Sequence, residues 1–348
     1  MKKAIISAAA LLALTACSVK DAVQVPDSPF PTGREITLTA YCGTPDATSK
    51  TVRQPDGKVF WSPGDMIYVD NCASSHNEFV STNTSPSATA SFTGTLKDYT
   101  EGGTNDSPYR QPLDVIVARF PAQWYYKDVN GYYQDYCGFD HLIYSGYWTT
   151  DPSTGKEVPT ELMTTCLLPN VQTAVAGTFD RHLLPSIAIS KTSELVFHHY
   201  AGGVKFSVTS PDITSVLLKP TNASGSEFLA GACRFRIDYL SWDVQMNEST
   251  YAAQNVPDSS YEVTVEAPQD QTLVPGEYYY LISWPVELPD GLTLEFRTKD
   301  GRTSTRVITK PLEIKKGHFL VLNNADAGLE YGYASGGDID DYTFDPII

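Results

Sequence analysis

Hydrophobic and polar positions alternate over short stretches along the whole chain, and this alternation predicts β-strands. Turn signals such as Pro55-Asp56-Gly57 and Pro289-Asp290-Gly291 separate the stretches. No amphipathic pattern of helical period is sustained along the chain. The alternating stretches cover residues 36–41, 59–61, 66–69, 203–208, 261–265, 292–296 and 319–322. Many short strands at this spacing predict an all-β fold made of sandwiches or small barrels.

The length of 348 residues predicts about two domains. A polar segment at 190–194 carries little strand signal and precedes a new apolar run at 195–197, so we place the boundary there. We therefore expect an N-terminal β-sandwich domain over residues 35–194 and a C-terminal one over 195–325. The last segment, 326–348, is rich in acidic and aromatic residues and is expected to form a tail.

The N-terminal residues have the pattern of a bacterial lipoprotein leader. Two lysines precede an apolar run that is too short to span a membrane, and the run ends in the lipobox Leu14-Thr15-Ala16-Cys17. We expect residues 1–16 to be a signal peptide that is cut between Ala16 and Cys17, and residues 17–34 to be a linker whose Cys17 carries the lipid. Lipid chains on Cys17 would hold the protein on a membrane surface. The alternative is a soluble secreted protein in which Cys17 is an ordinary thiol.

The charge of the chain argues against a nucleic-acid partner. Loss of Lys2 and Lys3 with the leader would leave 23 basic against 41 acidic residues, a net charge of −18. Such a negative field repels a phosphate backbone, which requires a basic surface. We therefore expect no nucleic acid among the partners.

The cysteines that follow Cys17 are odd in number, widely and irregularly spaced, and contain no C-x-x-C pair. They are Cys42, Cys72, Cys137, Cys166 and Cys233. This spacing argues against both a disulfide framework and a zinc site. Most of these residues are expected to be small buried side chains.

The chain carries no sequence signature of an enzyme or of a metal site. It contains no G-x-S-x-G, H-E-x-x-H or phosphate-binding P-loop motif. His198 and His199 are neighbours in a predicted strand, where they face opposite ways, so we expect one packed and one solvated imidazole. The acids Asp338, Asp340 and Asp341 could hold a cation weakly, but solvated acids are favoured. We predict no catalytic residues, no cofactor and no metal.

Several segments together resemble the fimbrillin-like proteins, which are lipoprotein precursors of type V pilus subunits and related adhesins. The shared segments are the lipobox, EITLTAY at 35–41, DGKVFWSPGDMIYV at 56–69, ATASFTGTL at 88–96, VIVARFPA at 115–122, LLPNVQTAVAGTFD at 167–180, LVFHHYAGGVKFSV at 195–208, VPGEYYYLISWP at 274–285 and KGHFLVL at 316–322. The resemblance implies two transthyretin-like β-sandwich domains in tandem. It also implies a lipoprotein of the outer membrane that acts as a fimbrial structural or tip subunit, with other pilin subunits as partners.

The resemblance also implies proteolysis in the loop after the first strand. In similar pilins a trypsin-like protease cuts after an Arg in this loop, the first strand is lost, and a strand of another subunit fills the groove. Here the first strand is expected at 35–42, and the polar loop that follows contains Lys50 and Arg53. A cut at Arg34 would remove the lipid and leave the strand in place. The alternative is that Arg53 is a solvated loop residue.

The hairpin at 56–69 contains two residues that could be mistaken for site residues. Trp61 alternates with Val59, so we expect it in the core or covering a sheet edge. Asp65 alone cannot supply the oxygens of a calcium site, and we expect it to be a turn residue.

The segment 120–148 is rich in aromatic residues and suggests a second class of function. Its candidate ligand contacts are Trp124, Tyr125, Tyr126, Tyr132, Tyr133 and Trp148. Aromatic faces among polar residues are typical of adhesive surfaces, so a monomeric adhesin that binds a surface glycan or protein is the alternative function. The alternative structural interpretation is an aromatic hairpin that packs on its own sandwich.

The C-terminal segment allows two interpretations. Tyr342, Phe344 and Ile347 could form the strand that one subunit inserts into another, although Gly336-Gly337 and Pro346 suit a central strand poorly. The segment could equally be a loosely docked tail.

Overall fold

The computed structural model describes residues 30, 33–42, 60–71, 77–97, 115–122, 124–127, 133–140, 142–152, 155, 157–223, 225, 227–247, 260–332 and 343–346. These residues form strands, turns and one short 3₁₀ helix, Arg181–Leu183. The predicted all-β fold is therefore confirmed. The strands are β1 Glu35–Cys42, β2 Met66–Asp70, β3 Glu78–Ser81, β4 Thr89–Thr95, β5 Ile116–Phe120, β6 Trp124–Lys127, β7 Tyr133–Phe139, β8 Ile143–Thr150, β9 Glu157–Leu168, β10 Val171–Thr173, β11 Ser186–Ser190, β12 Glu194–His199, β13 Gly202–Ser207, β14 Ile213–Pro220, β15 Gly231–Asp238, β16 Val244–Asn247, β17 Val263–Glu266, β18 Tyr278–Ser283, β19 Val286–Leu288, β20 Leu292–Thr298, β21 Thr303–Ile308, β22 Leu312–Ile314, β23 His318–Leu322 and β24 Thr343–Pro346.

The first sheet closes on itself. Its seven strands follow the order β1-β12-β11-β5-β2-β3-β4, and β4 pairs with β1 to complete the ring. Alternate side chains point inward and form one core, which includes Trp61, Phe79, Phe92, Phe120 and Phe197. This ring, called the closed sheet below, leaves no strand edge unpaired.

The second unit is a sandwich of two sheets. A five-stranded sheet of order β10-β17-β14-β20-β21 faces a four-stranded sheet of order β18-β13-β23-β24. A second core lies between them and contains, among others, Val216, Phe206, Leu281, Phe296 and Leu320. The small sheet of β19 and β22 adds Leu288 and Ile314 to this core.

A six-stranded sheet connects the two units. Its order is β16-β15-β9-β7-β6, with β8 paired to β9, so it takes strands from both halves of the chain. Its apolar face packs against the outer faces of the closed sheet and of the four-stranded sheet in a third core. For this reason β5 and β18 are apolar at nearly every position, since both of their faces are covered.

A buried arginine ties the closed sheet to the connecting sheet. Arg119 on β5 forms an ion pair with Asp70 on β2 and donates to the backbone carbonyl of Asp140. It also donates to Thr164 Oγ1 on β9 at 3.0 Å. Burial lowers the pKa of Arg119 to about 9, because the charged guanidinium has lost its water. The ion pair and hydrogen bonds compensate for that loss.

The sheet boundaries differ from the predicted domain boundaries at two places. The predicted boundary between residues 194 and 195 falls at the start of β12, which pairs with β1 and β11 in the closed sheet. Residues 326–332 of the predicted tail pack on the sandwich, where the buried carboxylate of Asp326 accepts from the backbone N–H groups of Thr209 (2.6 Å) and Ser210 (2.8 Å). The division into two independently folding domains stays a prediction.

Candidate functional site

The first strand has a hydrogen-bonded neighbour on each side in the closed sheet. β1 runs antiparallel to β4 over seven paired positions, from Glu35 opposite Thr95 to Tyr41 opposite Thr89. On its other side β1 runs parallel to β12, with Thr39 opposite Glu194. Two ladders of backbone hydrogen bonds therefore fix its register.

The inward face of β1 completes the core of the closed sheet. Leu38 and Ala40 are buried, and Ile36 packs against the same core from a partly exposed position. Trp61 lies at the centre of this core as predicted. Its ring makes edge contacts with Phe92, Phe120 and Phe197 at centroid distances of 5.0, 5.2 and 5.2 Å.

A second apolar side chain precedes β1. Phe30 is 3% exposed and belongs to the core of the closed sheet. Its position between two prolines gave no periodic signal, so the sequence did not reveal it. A cut at Arg34 would remove the segment that contains Phe30 and leave β1 in place. A cut at Arg53 would remove both Phe30 and β1.

The chain is anchored again shortly after the loop that contains Lys50 and Arg53. Trp61 and Ser87 exchange two backbone hydrogen bonds of 2.8 and 2.9 Å. Asp65 lies in a turn, as predicted, and its carboxylate accepts from the Ser62 N–H at 2.7 Å. The same carboxylate pairs with Arg181 at 2.5 Å, which fixes the turn to the 3₁₀ helix.

Loss of β1 would convert the closed sheet into an open one. β4 and β12 would each present unpaired backbone N–H and C=O groups, and the core would be open where Leu38 and Ala40 now lie. Open edges of this kind recruit another strand, because the incoming backbone satisfies the hydrogen bonds and alternate side chains fill the apolar slot.

Several predicted site residues lie outside the described residues, and their roles stay predictions. They are Ala16 and Cys17 of the lipobox, Lys50 and Arg53 of the processing loop, and Tyr132 of the aromatic segment. The tail acids Asp338, Asp340 and Asp341, which are expected to be solvated, also lie outside the described residues.

The aromatic segment forms parts of three strands of the connecting sheet. Trp124, Tyr125 and Tyr126 lie on β6 and Tyr133 lies on β7, and the two strands pair antiparallel. Trp148 lies on β8, opposite Pro159 of β9, and is partly exposed. Its neighbour Tyr147 is 73% exposed. β6 and β8 are not hydrogen-bonded to each other in the described residues, so the ladders do not bring Trp124 beside Trp148.

The C-terminal strand occupies an edge. Among the described residues β24 pairs antiparallel with β23 alone, with Phe344 opposite Leu320, and forms the last strand of its sheet. Pro346 lies in this strand at a sheet edge, where the missing N–H is tolerated. Residues 343–346 are thus docked as an edge strand.

The two neighbouring histidines of β12 differ as predicted. His198 is exposed, whereas His199 Nδ1 lies 2.7 Å from Ser186 Oγ. Ser186 donates its single hydroxyl proton to the Leu184 carbonyl, so it accepts from His199 Nδ1–H. The unprotonated Nε2 is buried without a partner in the described residues.

Burial, and secondarily the charge of His198, lowers the pKa of His199 to about 4. This tautomer cannot take a proton from Ser186, so the pair is not arranged for nucleophilic catalysis.

Two of the cysteines lie opposite each other on adjacent strands of the connecting sheet. Cys166 on β9 and Cys233 on β15 are directly opposite each other, and both are buried, as predicted for most of the cysteines. No local pattern predicts that they lie opposite each other, because the two residues are far apart along the chain.

Two further observations concern membranes and metals. Across the described ranges there is no helix of the length and hydrophobicity needed to cross a membrane. In the same residues no cluster of three or more His, Cys, Asp or Glu side chains could hold a metal ion.

Comparisons with known proteins find relatives only among solved structures. No protein family and no curated protein matches the sequence. A candidate cell adhesion protein from Bacteroides uniformis is 14% identical, with 90% of this chain and 99% of that chain covered and a TM-score of 0.40. A candidate cell adhesion protein from Bacteroides ovatus is 12% identical with the same coverage and a TM-score of 0.42. The C-terminally truncated tip fimbrial protein Mfa3 from Porphyromonas gingivalis is 7% identical, with 90% and 100% covered and a TM-score of 0.33.

These structures are of adhesion and fimbrial proteins, the kind of protein that the sequence motifs resemble. Identities of 14% or less and TM-scores of 0.42 or less carry no function over to this chain.

Proposed function

We propose that this protein is a surface lipoprotein of fimbrillin type, which joins a pilus as a structural or tip subunit through exchange of its first strand. The observation that carries the proposal is the position of β1 between β4 and β12 of the closed sheet. Loss of β1 would open this sheet, and the loop with Lys50 and Arg53 follows β1 directly along the chain.

The groove left by β1 defines the strand that can replace it. An incoming strand must run antiparallel to β4 and parallel to β12, as β1 does. It must also place small or aliphatic side chains at the alternate positions that Leu38 and Ala40 occupy, because these point into the core. Another pilin subunit is the proposed source of this strand.

Membrane attachment is the second part of the proposal. Cys17 carries the lipid and holds the precursor on the cell outer membrane, facing outward. A cut after Arg53 would separate the lipid from the folded chain and open the groove at the same time. Release and assembly would then be coupled in one cleavage, after which the protein belongs to the fimbrium. No catalytic residue takes part.

The experiment compares three forms of the full chain expressed on cells that carry a trypsin-like protease. They are the parent, Lys50→Gln with Arg53→Gln, and the matched control Arg34→Gln, which removes a basic residue on the other side of β1. Surface material is examined by N-terminal sequencing and by size under non-denaturing conditions.

The parent and the Arg34→Gln control should begin at Gln54 and form high-mass polymers that dissociate on heating. The variant without Lys50 and Arg53 should retain Cys17 and remain monomeric. Polymers built from subunits that still contain residues 35–42 would contradict strand exchange.

The alternative function is a monomeric adhesin that binds a glycan or protein through the aromatic segment. The Tyr147 side chain, which is 73% exposed on β8, favours it. Trp124→Ala and Trp148→Ala should each lower binding to a surface-glycan array. Unchanged binding in both variants, or no binding by the parent, would remove this alternative.

A further inference from the structure

A cleft of about 480 Å³ lies between the closed sheet and the hairpin of β15 and β16. Its lining includes the apolar side chains Ile187, Ile189, Val196 and Val244. Its rim carries polar groups from both sides, so a ligand in the cleft would contact two sheets at once. Its volume falls in the range of small-molecule sites in proteins.

The tip of the hairpin holds an aromatic ring in this cleft. Trp242 lines the cleft with a backbone φ of 61°, a left-handed conformation that is strained for a bulky residue. Its N–H donates to the Asp238 carbonyl at 2.8 Å, and its ring lies 4.8 Å from the ring of Tyr239. Strain of this kind persists where the surroundings fix the conformation, and it clusters at ligand sites.

The Asp238 carboxylate makes the hairpin tip rigid. It accepts from the backbone N–H groups of Leu240 at 2.9 Å and Ser241 at 2.7 Å. These bonds lower the pKa of Asp238, so the carboxylate stays charged and the turn stays closed. The indole of Trp242 is therefore positioned before any ligand arrives, which reduces the entropy lost on binding.

The charges around the cleft are opposite to those of the chain as a whole. The whole chain has a net charge of −16, but the rim carries Lys191 and Lys316 against the single acid Asp243. Neither lysine forms a salt bridge in the part of the chain that the structure describes. Lys316 Nζ lies 4.5 Å from the centre of the Tyr200 ring, which lines the same cleft.

We propose that this cleft binds a sugar unit that carries a carboxylate, such as a sialic or hexuronic acid. The indole of Trp242 would cover one face of the sugar ring, since an aromatic face suits a row of C–H groups with polar edges. Lys191 and Lys316 would pair with the carboxylate, and Asp243 would accept from the hydroxyls.

This assignment does not depend on strand exchange, because none of these residues lies on β1 or in the loop after it. An acidic peptide would also satisfy the lysines. A sugar is favoured because the cleft offers a flat indole, a hydroxyl acceptor and the volume of a small molecule, whereas a peptide would need a longer groove.

The test titrates the full mature chain with N-acetylneuraminic acid and with glucuronic acid, followed by calorimetry and by Trp fluorescence. Galactose is the neutral sugar for comparison, and a short poly-glutamate peptide tests the other class of ligand. The variants are Lys191→Gln, Lys316→Gln and Trp242→Ala. Lys315→Gln is the matched control, because Lys315 pairs with Glu313 at 3.7 Å and does not line the cleft.

At least one acidic sugar should bind, and galactose should bind at least tenfold more weakly. Each cleft-lysine variant should weaken the acidic sugar about tenfold, the loss expected for one charge-assisted hydrogen bond. Lys315→Gln should bind like the parent. The two lysine changes are at the surface and leave the fold intact, so they decide the question even if Trp242→Ala folds poorly.

Three results would overturn the proposal. They are the absence of binding by both acidic sugars, equal binding of galactose, and acidic-sugar binding that survives both lysine changes. Binding of the poly-glutamate peptide alone would assign the cleft to a peptide and would also refute the sugar.

Discussion

The strands nearest the two ends of the described chain, β1 and β24, are held in different ways. β1 has a hydrogen-bonded partner on each side and contributes Leu38 and Ala40 to a closed core. Within the part of the chain that the structure describes, β24 pairs with β23 alone and lies at the edge of its sheet. Removal of β1 therefore opens a core, whereas removal of β24 only makes β23 the edge strand of its sheet.

This difference indicates which strand can act as a switch. An edge strand can leave and return at little cost, so it suits a segment that reaches toward another molecule. A strand inside a closed sheet stays in place until the chain is cut, and its loss creates a strong demand for a replacement. We infer that β1 is the replaced strand, and that β24 is the better candidate for a strand that moves.

The largest expected effect comes from deleting each strand in turn. A chain that begins at Gln54 should lose about 5 kcal/mol or more of stability in the closed sheet, since it lacks the apolar side chains Phe30, Ile36 and Leu38 at about 1.5–3 kcal/mol each. A chain that ends before Thr343 should lose about 1–2 kcal/mol, the net value of a few hydrogen bonds. Urea unfolding of both chains, measured against a chain that begins at Ser18, provides the comparison. Equal losses would remove the distinction between β1 and β24.

The next effect concerns the buried ion pair between β5 and β2 within the closed sheet. Arg119→Met removes the guanidinium that forms an ion pair with the buried Asp70 carboxylate and should cost about 3–5 kcal/mol. Arg119→Met combined with Asp70→Leu should recover most of that loss, because the buried negative charge is removed together with the positive one. Denaturant titration of the single and double variants measures the coupling, and a double variant as unstable as the single one would argue against the ion pair as the cause.

A smaller effect separates the two faces of β1. Leu38→Ala empties a buried position and should cost about 2–4 kcal/mol, whereas Thr37→Ala on the outward face should change stability by less than about 0.5 kcal/mol. Both changes leave the backbone ladder intact. Similar values for the two variants would mean that the core does not depend on the inward face of β1.

The smallest effect is the loss of stability at low pH that arises from His199 on β12, the parallel partner of β1. Because the pKa of His199 is lowered to about 4 in the folded chain, protons bind the unfolded chain first as pH falls from about 6.5 to 4. Stability should therefore fall as the pH falls through this window. His199→Leu should remove this part of the pH dependence, which urea unfolding at several pH values would detect. An unchanged slope in the variant would assign the effect to other groups.

Much of the fold follows from local pattern. The alternation of Leu38 and Ala40 with outward threonines predicts both the strand and its buried face, and the turn at Asp65 follows from the Pro-Gly-Asp sequence. The same alternation predicts that Trp61 lies in the core or covers a sheet edge. These features depend on neighbours in sequence, so a single sequence is enough to predict them.

Other features depend on partners that are distant along the chain. No local signal places Arg119 against Asp70, Cys166 opposite Cys233, or Asp326 under the backbone of Thr209 and Ser210. The connecting sheet joins strands from both halves of the chain, which a search for consecutive domains does not anticipate. The cleft is likewise formed only when β12 and the hairpin of β15 and β16 come together.

The most direct test of the central claim is whether the chain without β1 accepts a strand in trans. A synthetic peptide of residues 33–42 would be added to the chain that begins at Gln54, and binding would be followed by calorimetry and by hydrogen exchange of β4 and β12. The account predicts one peptide bound per chain, with protection of both strands restored, and much weaker binding by a peptide with Leu38→Asp. Equal binding of the two peptides, or a chain already as protected as the parent without any peptide, would contradict strand exchange at β1.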